Sequence, residues 1–261
     1  MQVITEAFDL GYISNYHCQN FSCPKLDIED FVNHLSERIP SSYSSVHGNT
    51  EGNYDPAECG NWWYQFFRTS PSYVSLSDVD EKKMYFFRKY IEEMTLSFNK
   101  PIIFKNLYSS LRLQAITHYL PKCLFIVMKR NEIDNGHSLL EARKNVFGNY
   151  NTWFSMEPPN VQKLKLLPAH VQVIEQIRQI HMTINNDLDT SGVSKSQRCD
   201  LHYEHLCCKP DDIIEEISLW AESNQCPLKR RSSIPPKFTP RKNIRIERSI
   251  YDKMVSYSKR F

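Results

Sequence analysis

Glycine is scarce in this chain, with seven in 261 residues, at positions 11, 48, 52, 60, 136, 148 and 192. None falls in a G-x-x-x-x-G-K-[ST] string, so these residues hold no cradle of the kind that wraps a nucleotide's phosphates in P-loop kinases. Long apolar runs are missing too, and nothing here reaches the roughly 20 residues a membrane-spanning helix needs. No cationic-then-apolar leader opens the chain; MQVITEAFDLGY is amphipathic and acidic. Charge of one sign is also lacking: 32 Lys/Arg stand against 30 Asp/Glu, a net of +2. That balance demands no polyanionic partner. The eight cysteines, at 18, 23, 59, 123, 199, 207, 208 and 226, form no C-x-x-C pair. A zinc site from His17, Cys18 and Cys23 is the weaker reading beside scattered reduced thiols. Reduced thiols place the chain in a reducing, cytoplasmic compartment.

What is present alternates. Met1 to Phe8 and Leu26 to Ile39 read as helices, the second stopped by Pro40. Residues 41 to 77 are rich in Ser, Gly, Asn and Pro and read as a long loop insertion, periodic only at Trp62 to Phe67. Ser77 to Ser97 is a helix capped by Ser77, with an apolar stripe through Met84, Phe87, Tyr90, Ile91 and Met94. Pro101 to Phe104 is a strand, Leu111 to Leu120 a helix, Leu124 to Met128 a strand and His170 to Leu188 a long helix. Arg198 to Tyr203 is a strand, and Pro210 to Glu222 a helix opened by its proline. This alternation predicts an α/β fold with a parallel sheet flanked by helices. The first 222 residues form that domain.

The stretch CLFIVMKRNEIDNGHSLLEAR, 123 to 143, carries the most chemistry. A buried strand ends at Lys129 and Arg130, a polar turn follows, and a helix opens near His137 and Ser138. Ligands of open α/β sheets sit at the carboxyl ends of the strands. A guanidinium there and a hydroxyl in the first helical turn can grip one phosphate. The competing reading is a surface Arg and a capping Ser.

RNEIDNGHSLLEAR resembles the 3′-phosphate-binding segment of sulfotransferases that use 3′-phosphoadenosine 5′-phosphosulfate. The likeness continues in KPIIFKN, in LRLQAITHYLPKCLFIVMKR and in HYEHLCCKPDDIIEEISLWA. AFDLGYISNY and HGNTEGNYDPAECGNWW look like the bacterial branch. It covers most of residues 1 to about 222. The resemblance implies a P-loop NTPase-like architecture, with Arg130 and Ser138 on the nucleotide's 3′-phosphate. The family's R-S-G-T-T-like loop, which binds the 5′-phosphosulfate, has no counterpart here. The chain reads as starting just after that loop and the first strand. Two explanations stay open, an internal methionine at Met1 or a truncated relative. Either way the expectation is a sheet short of one strand, and weak or no nucleotide binding.

For sulfuryl transfer the resemblance implies a base, and the candidates are Glu58 and His47, in the loop from 47 to 63. Trp62, Trp63, Tyr64, Phe66 and Phe67 read most simply as core, and burial near them could raise the Glu58 carboxyl. Lys105, at a strand's carboxyl edge, faces either cofactor or solvent. Arg112 and Arg143 read as exposed helix cations, and Glu204 as a structural acceptor for neighbouring loops. The segment 223 to 261 is basic: from 224 onward eleven Lys/Arg meet two acids, leaving the body at −7 and the tail at +9. It reads as a solvated tail, or as a strap with Arg241 and Lys242 on the nucleotide. Nucleic-acid binding ranks below both, because no recognition motif accompanies the charge. The function implied is transfer of a sulfuryl group from 3′-phosphoadenosine 5′-phosphosulfate to a hydroxyl, on a small molecule, carbohydrate or glycolipid, with no metal required. The alternative is a family member without turnover that binds a partner. A nucleotide phosphotransferase stands third.

Overall fold

The computed structural model describes residues 1–19, 28–46, 49–231, 236–239 and 243–260. In chain order the helices are α1 (Gln2–Ala7), α2 (Asn15–Gln19) and α3 (Ile28–Ser36), then a small hairpin of β1 (Ser45–Val46) and β2 (Asn49–Thr50). There follow α4 (Gly60–Trp63), α5 (Glu81–Phe98), α6 (Leu113–Tyr119), β3 (Phe125–Lys129), α7 (Glu132–Phe147), α8 (Val161–Leu164) and α9 (Ala169–Thr190). The chain continues through β4 (Arg198–His202), α10 (Tyr203–Cys208), α11 (Pro210–Ser223) and α12 (Arg248–Ser258). No helix among the described residues is long and apolar enough to cross a membrane.

The architecture is mixed α/β, a small parallel sheet flanked by helices. β3 and β4 pair in parallel, from Phe125 opposite Arg198 to Lys129 opposite His202. The expected strand at 101 to 104 does not form. Pro101 and Ile103 instead hold a single parallel bridge around Gly11, which donates to the Pro101 carbonyl (2.9 Å) and accepts from Ile103 N–H (2.9 Å). β4 is the one strand bonded to β3 among the described residues. Ile103 and Ile126 nevertheless pack on one cluster, built from α1, β4 and α11 around Phe8, Leu201, Ile213 and Ile217.

A second cluster joins α4 to α5. Trp62, Trp63, Phe66 and Phe67 are buried there against Met84, Phe87 and Met94, as the stripe predicts for that face. The cap of α5 differs from expectation: Asp80, not Ser77, accepts the Lys83 N–H (3.0 Å). Ser75 and Asp78 instead form a capping box on the short 3-10 turn at 76–78. A third cluster packs α7, α9 and α12 through Leu140, Val173, Ile174 and Met254. This cluster corrects the picture of a solvated tail. Ile244 and Ile246 lie on it, and Met254 is fully buried. Upstream, Arg231 donates its N–H to Ala7 (2.8 Å) and pairs with Asp9 (2.7 Å). The reason is elementary: α12 carries apolar residues at helical spacing, and their burial outweighs the solvation of its charged face.

Candidate functional site

Parallel register brings together the first group of candidate residues. Because Lys129 lies opposite His202, the next residues, Arg130 and Tyr203, leave the sheet side by side at its carboxyl end. The Arg130 guanidinium sits 5.0 Å from the centre of the Tyr203 ring. A cation over an aromatic face is held there without being neutralised. Its buried Nε has no hydrogen-bond partner among the described residues. Glu204 closes the turn by accepting the Asn131 N–H (2.9 Å), the structural role its position suggests.

The helix after Arg130 starts earlier than the sequence indicates. Asn131 caps α7, its side chain accepting from Ile133 (3.0 Å) and Asp134 (3.2 Å). Ser138 therefore lies in the second turn of α7, not the first, and it caps nothing. The segment from 131 to 136 hid this start, since Ile133 is its one large apolar side chain and gives no apolar periodicity. The Ser138 side chain is half-buried, and its hydroxyl has no protein partner among the described residues. Next to it, the His137 Nε2 accepts the backbone N–H of Arg245 (3.0 Å), and the Arg245 side chain pairs with Glu141. Burial, then Arg245, holds the His137 imidazole below its ordinary value. The basic C-terminal segment thus lies along the same stretch of helix as Ser138. Tyr203 and Arg245 were missed from sequence. Only strand register finds the first, and no local signal finds the second.

A separate group gathers Glu58 and Lys105, 47 residues apart. Their side chains form an ion pair, and Glu58 Oε2 accepts the Leu107 N–H (3.1 Å). Asn106 reaches back to the Glu58 carbonyl (3.3 Å) and also caps the turn at 107–111, accepting from Ser109 N–H (3.1 Å). Both partners of the pair stay partly open, at 28% and 37% side-chain exposure, so a solute can reach them. The Glu58 carboxylate is therefore held by a cation rather than embedded in the tryptophans that follow it. The Met1 α-amine is pushed down to about 6 by burial and by the Lys105 ammonium.

Two arginines read as exposed are fully buried. Arg112 lies among the rings of Phe67 (5.0 Å), Tyr64 (5.6 Å) and Tyr108 (5.7 Å), and donates to the Arg68 carbonyl (3.0 Å). Arg143 donates to Gln172 (2.7 Å), Gln176 (3.3 Å) and the Tyr150 carbonyl (3.2 Å), under the Trp153 ring. Burial lowers each guanidinium to about 10, so both stay charged at neutral pH. Neither faces solvent, because aromatic faces and amide oxygens replace water around each cation.

His47, Arg241 and Lys242 lie outside the described residues, as does Cys23. No group of three or more metal-ligating side chains occurs among the described residues. Comparison with protein-family models, with curated proteins and with solved structures finds no match for this chain.

Proposed function

We propose that this chain is a sulfotransferase-like protein that moves a sulfuryl group from 3′-phosphoadenosine 5′-phosphosulfate to a hydroxyl acceptor. One observation carries the reading. Arg130, just past the carboxyl end of β3, and the Ser138 hydroxyl on α7 have no hydrogen-bond partner among the described residues, while most other arginines there have one. A cation steadied by an aromatic ring but left without an anion is suited to a phosphate. The motif resemblance names the phosphate as the ribose 3′-phosphate, and the architecture as P-loop NTPase-like. Arg241 and Lys242, outside the described residues, are the candidates the resemblance names to close over it.

In this reading Glu58 takes the acceptor's proton as its oxygen attacks sulfur, and the sulfur–oxygen bond to the phosphate breaks. Adenosine 3′,5′-diphosphate leaves with the electron pair. Lys105, already on Glu58, offsets the charge that builds on the departing oxygen. His47 is the alternative base. The acceptor is a small molecule or a glycan, no metal takes part, and the compartment is cytoplasmic.

Calorimetry of residues 1–261 with adenosine 3′,5′-diphosphate tests the assignment. Arg130→Ala should weaken binding by about 1.5–3 kcal/mol, as for a charge-assisted contact, and Ser138→Ala by about 1 kcal/mol. Binding by the native chain that neither change alters removes the site. Absence of binding favours the second reading, a relative without turnover. That reading has its own support: β3 has one strand partner among the described residues.

A further inference from the structure

A hollow of about 380 Å³ lies where the end of α7, the start of α9 and the start of α12 meet. Small-molecule sites occupy roughly 300–1,000 Å³, so the space suits a compact ligand. None of the residues invoked above for nucleotide or acceptor lines it. Its wall is mainly cationic, with Lys144 from the last turn of α7, His170 from the first turn of α9 and Lys253 from α12. The Lys144 ammonium lies 5.4 Å from the centre of the Tyr150 ring, which steadies it and leaves its charge uncancelled. No carboxylate pairs with any of these three side chains among the described residues. Burial, and then the Lys253 ammonium, lowers the His170 pKa from its ordinary value, so His170 and Lys253 are near enough to repel when both are charged. An anion between them turns that repulsion into attraction. Neither α9 nor α12 has a side-chain cap where it opens on this hollow, and the free first-turn N–H groups add to the positive potential.

The lining also holds acceptors. Glu247 donates its backbone N–H to the Tyr150 hydroxyl (3.3 Å), while its carboxylate has no partner among the described residues. The Asn151 side-chain amide has none either. A bare anion gains nothing from Glu247, but a ligand with hydroxyl groups beside its anion satisfies both kinds of wall. We propose that this hollow binds the phosphate ester of a small sugar or polyol, with Lys144, His170 and Lys253 on the phosphate and Glu247 and Asn151 on the hydroxyls. Two ammonium groups match the charge of a phosphate monoester, about −1.5 to −2 at neutral pH. Ammonium–phosphate contacts are charge-assisted and supply most of the affinity. The hydroxyls bonded to Glu247 and Asn151 supply the preference for an ester over the free anion.

The test is calorimetry of the whole chain with ribose 5-phosphate, inorganic phosphate and ribose as the three probes. Ribose 5-phosphate should bind more tightly than inorganic phosphate, and ribose should not bind. Lys144→Ala and Lys253→Ala should each weaken the ester about tenfold, as loss of one charge-assisted contact does. Arg130→Ala should leave it unchanged, which separates this site from the one proposed for the nucleotide. On the native chain, ribose 5-phosphate should shield Lys144 and Lys253 from acetylation by acetic anhydride, read by peptide mapping, while the exposed Lys82 keeps reacting. That arm decides the matter even if a variant misfolds. Failure of the ester to bind at millimolar concentration would overturn the site, as would binding that Arg130→Ala abolishes and the two lysine changes leave intact. Inorganic phosphate or ribose binding as tightly as the ester would overturn the ligand class.

Discussion

Arg143 holds its charge in the interior with no carboxylate on it among the described residues, and its work is structural. Its guanidinium ties α9 to the turn at 150 through Gln172, Gln176 and the Tyr150 carbonyl. Arg143→Ala strips a charged donor from three acceptors at once, so urea unfolding should show a loss of about 3 kcal/mol. Arg143→Lys should recover little, because one ammonium cannot span three acceptors in a plane. A result within about 0.5 kcal/mol of wild type, the range of ordinary surface changes, would return Arg143 to the surface. Gly136 makes a second case at this scale. A Cβ on it would meet Met254 Sδ at 2.9 Å, Ile174 Cδ1 at 3.2 Å and Val173 Cγ2 at 3.3 Å. In an exposed helix, Gly→Ala gains about 1 kcal/mol. Here overpacking costs about 1–3 kcal/mol and reverses the sign, so Gly136→Ala should lower the melting temperature. Trimming the opposing side chain in Gly136→Ala/Met254→Ala should show positive coupling in a double-mutant cycle.

α7 is the element on which the candidate site and the C-terminal segment meet. Its first turn is tied down by Glu132, which takes a bidentate Arg178 (2.7 and 3.0 Å) and the Ser258 hydroxyl (2.6 Å). Its second turn holds 243–247 through His137. The neutral imidazole accepts the Arg245 N–H, and the protonated ring cannot. Burial and Arg245 lower the His137 pKa from its ordinary value of 6.5, while Glu141 and Asp134 oppose them. Between the lowered folded value and 6.5 the unfolded chain binds more protons than the folded one. Stability is therefore full above that window, falls as the pH drops through it, and is flat below. His170 and His181 are also lowered by burial and act in the same direction. Hydrogen exchange, corrected for intrinsic rates, should show residues 243–258 opening more readily at pH 5.5 than at 7.5. His137→Gln should flatten that difference for 243–247. Unchanged protection of this segment across the range would refute the link.

At the scale of the whole molecule, the basic tail belongs to the folded body. Its charge meets the body's opposite charge at named points: Arg230 with Glu215, Arg231 with Asp9, and Arg245 with Glu141. Removing residues 243–261 would uncover Leu140, Val173 and Ile174, which Met254 covers, and would leave Arg178 and Glu132 without Ser258. Full burial of one large apolar side chain is worth about 1.5–3 kcal/mol, so the truncated chain should lose about 3 kcal/mol or more. Limited proteolysis would register this as new cleavage within α7 and α9. A truncated chain as resistant as the full one would restore the picture of a dispensable tail.

The local signals were legible wherever a segment's own residues decide its state. The stripe of α5, the alternation around β3 and β4, the proline that opens α11 and the long apolar face of α9 all read correctly, because periodicity and capping act over a few residues. Asn131 and Asp80 took caps assigned to serines, because each helix starts at a different residue from the one the apolar pattern marks, and the first-turn N–H groups needing an acceptor move with it. Beyond that reach the sequence was silent. Pairing Glu58 with Lys105, setting Tyr203 under Arg130, burying Arg112 among rings and laying Arg245 along α7 each join segments dozens of residues apart. Segment 101–104 has strand composition, but a strand needs a partner along its edge, and the folded chain gives it one bridge at Gly11. Side-chain type fixed which residues could bear charge, stack or donate; only chain folding, which brings remote groups within a few ångströms, decided which of them do so together.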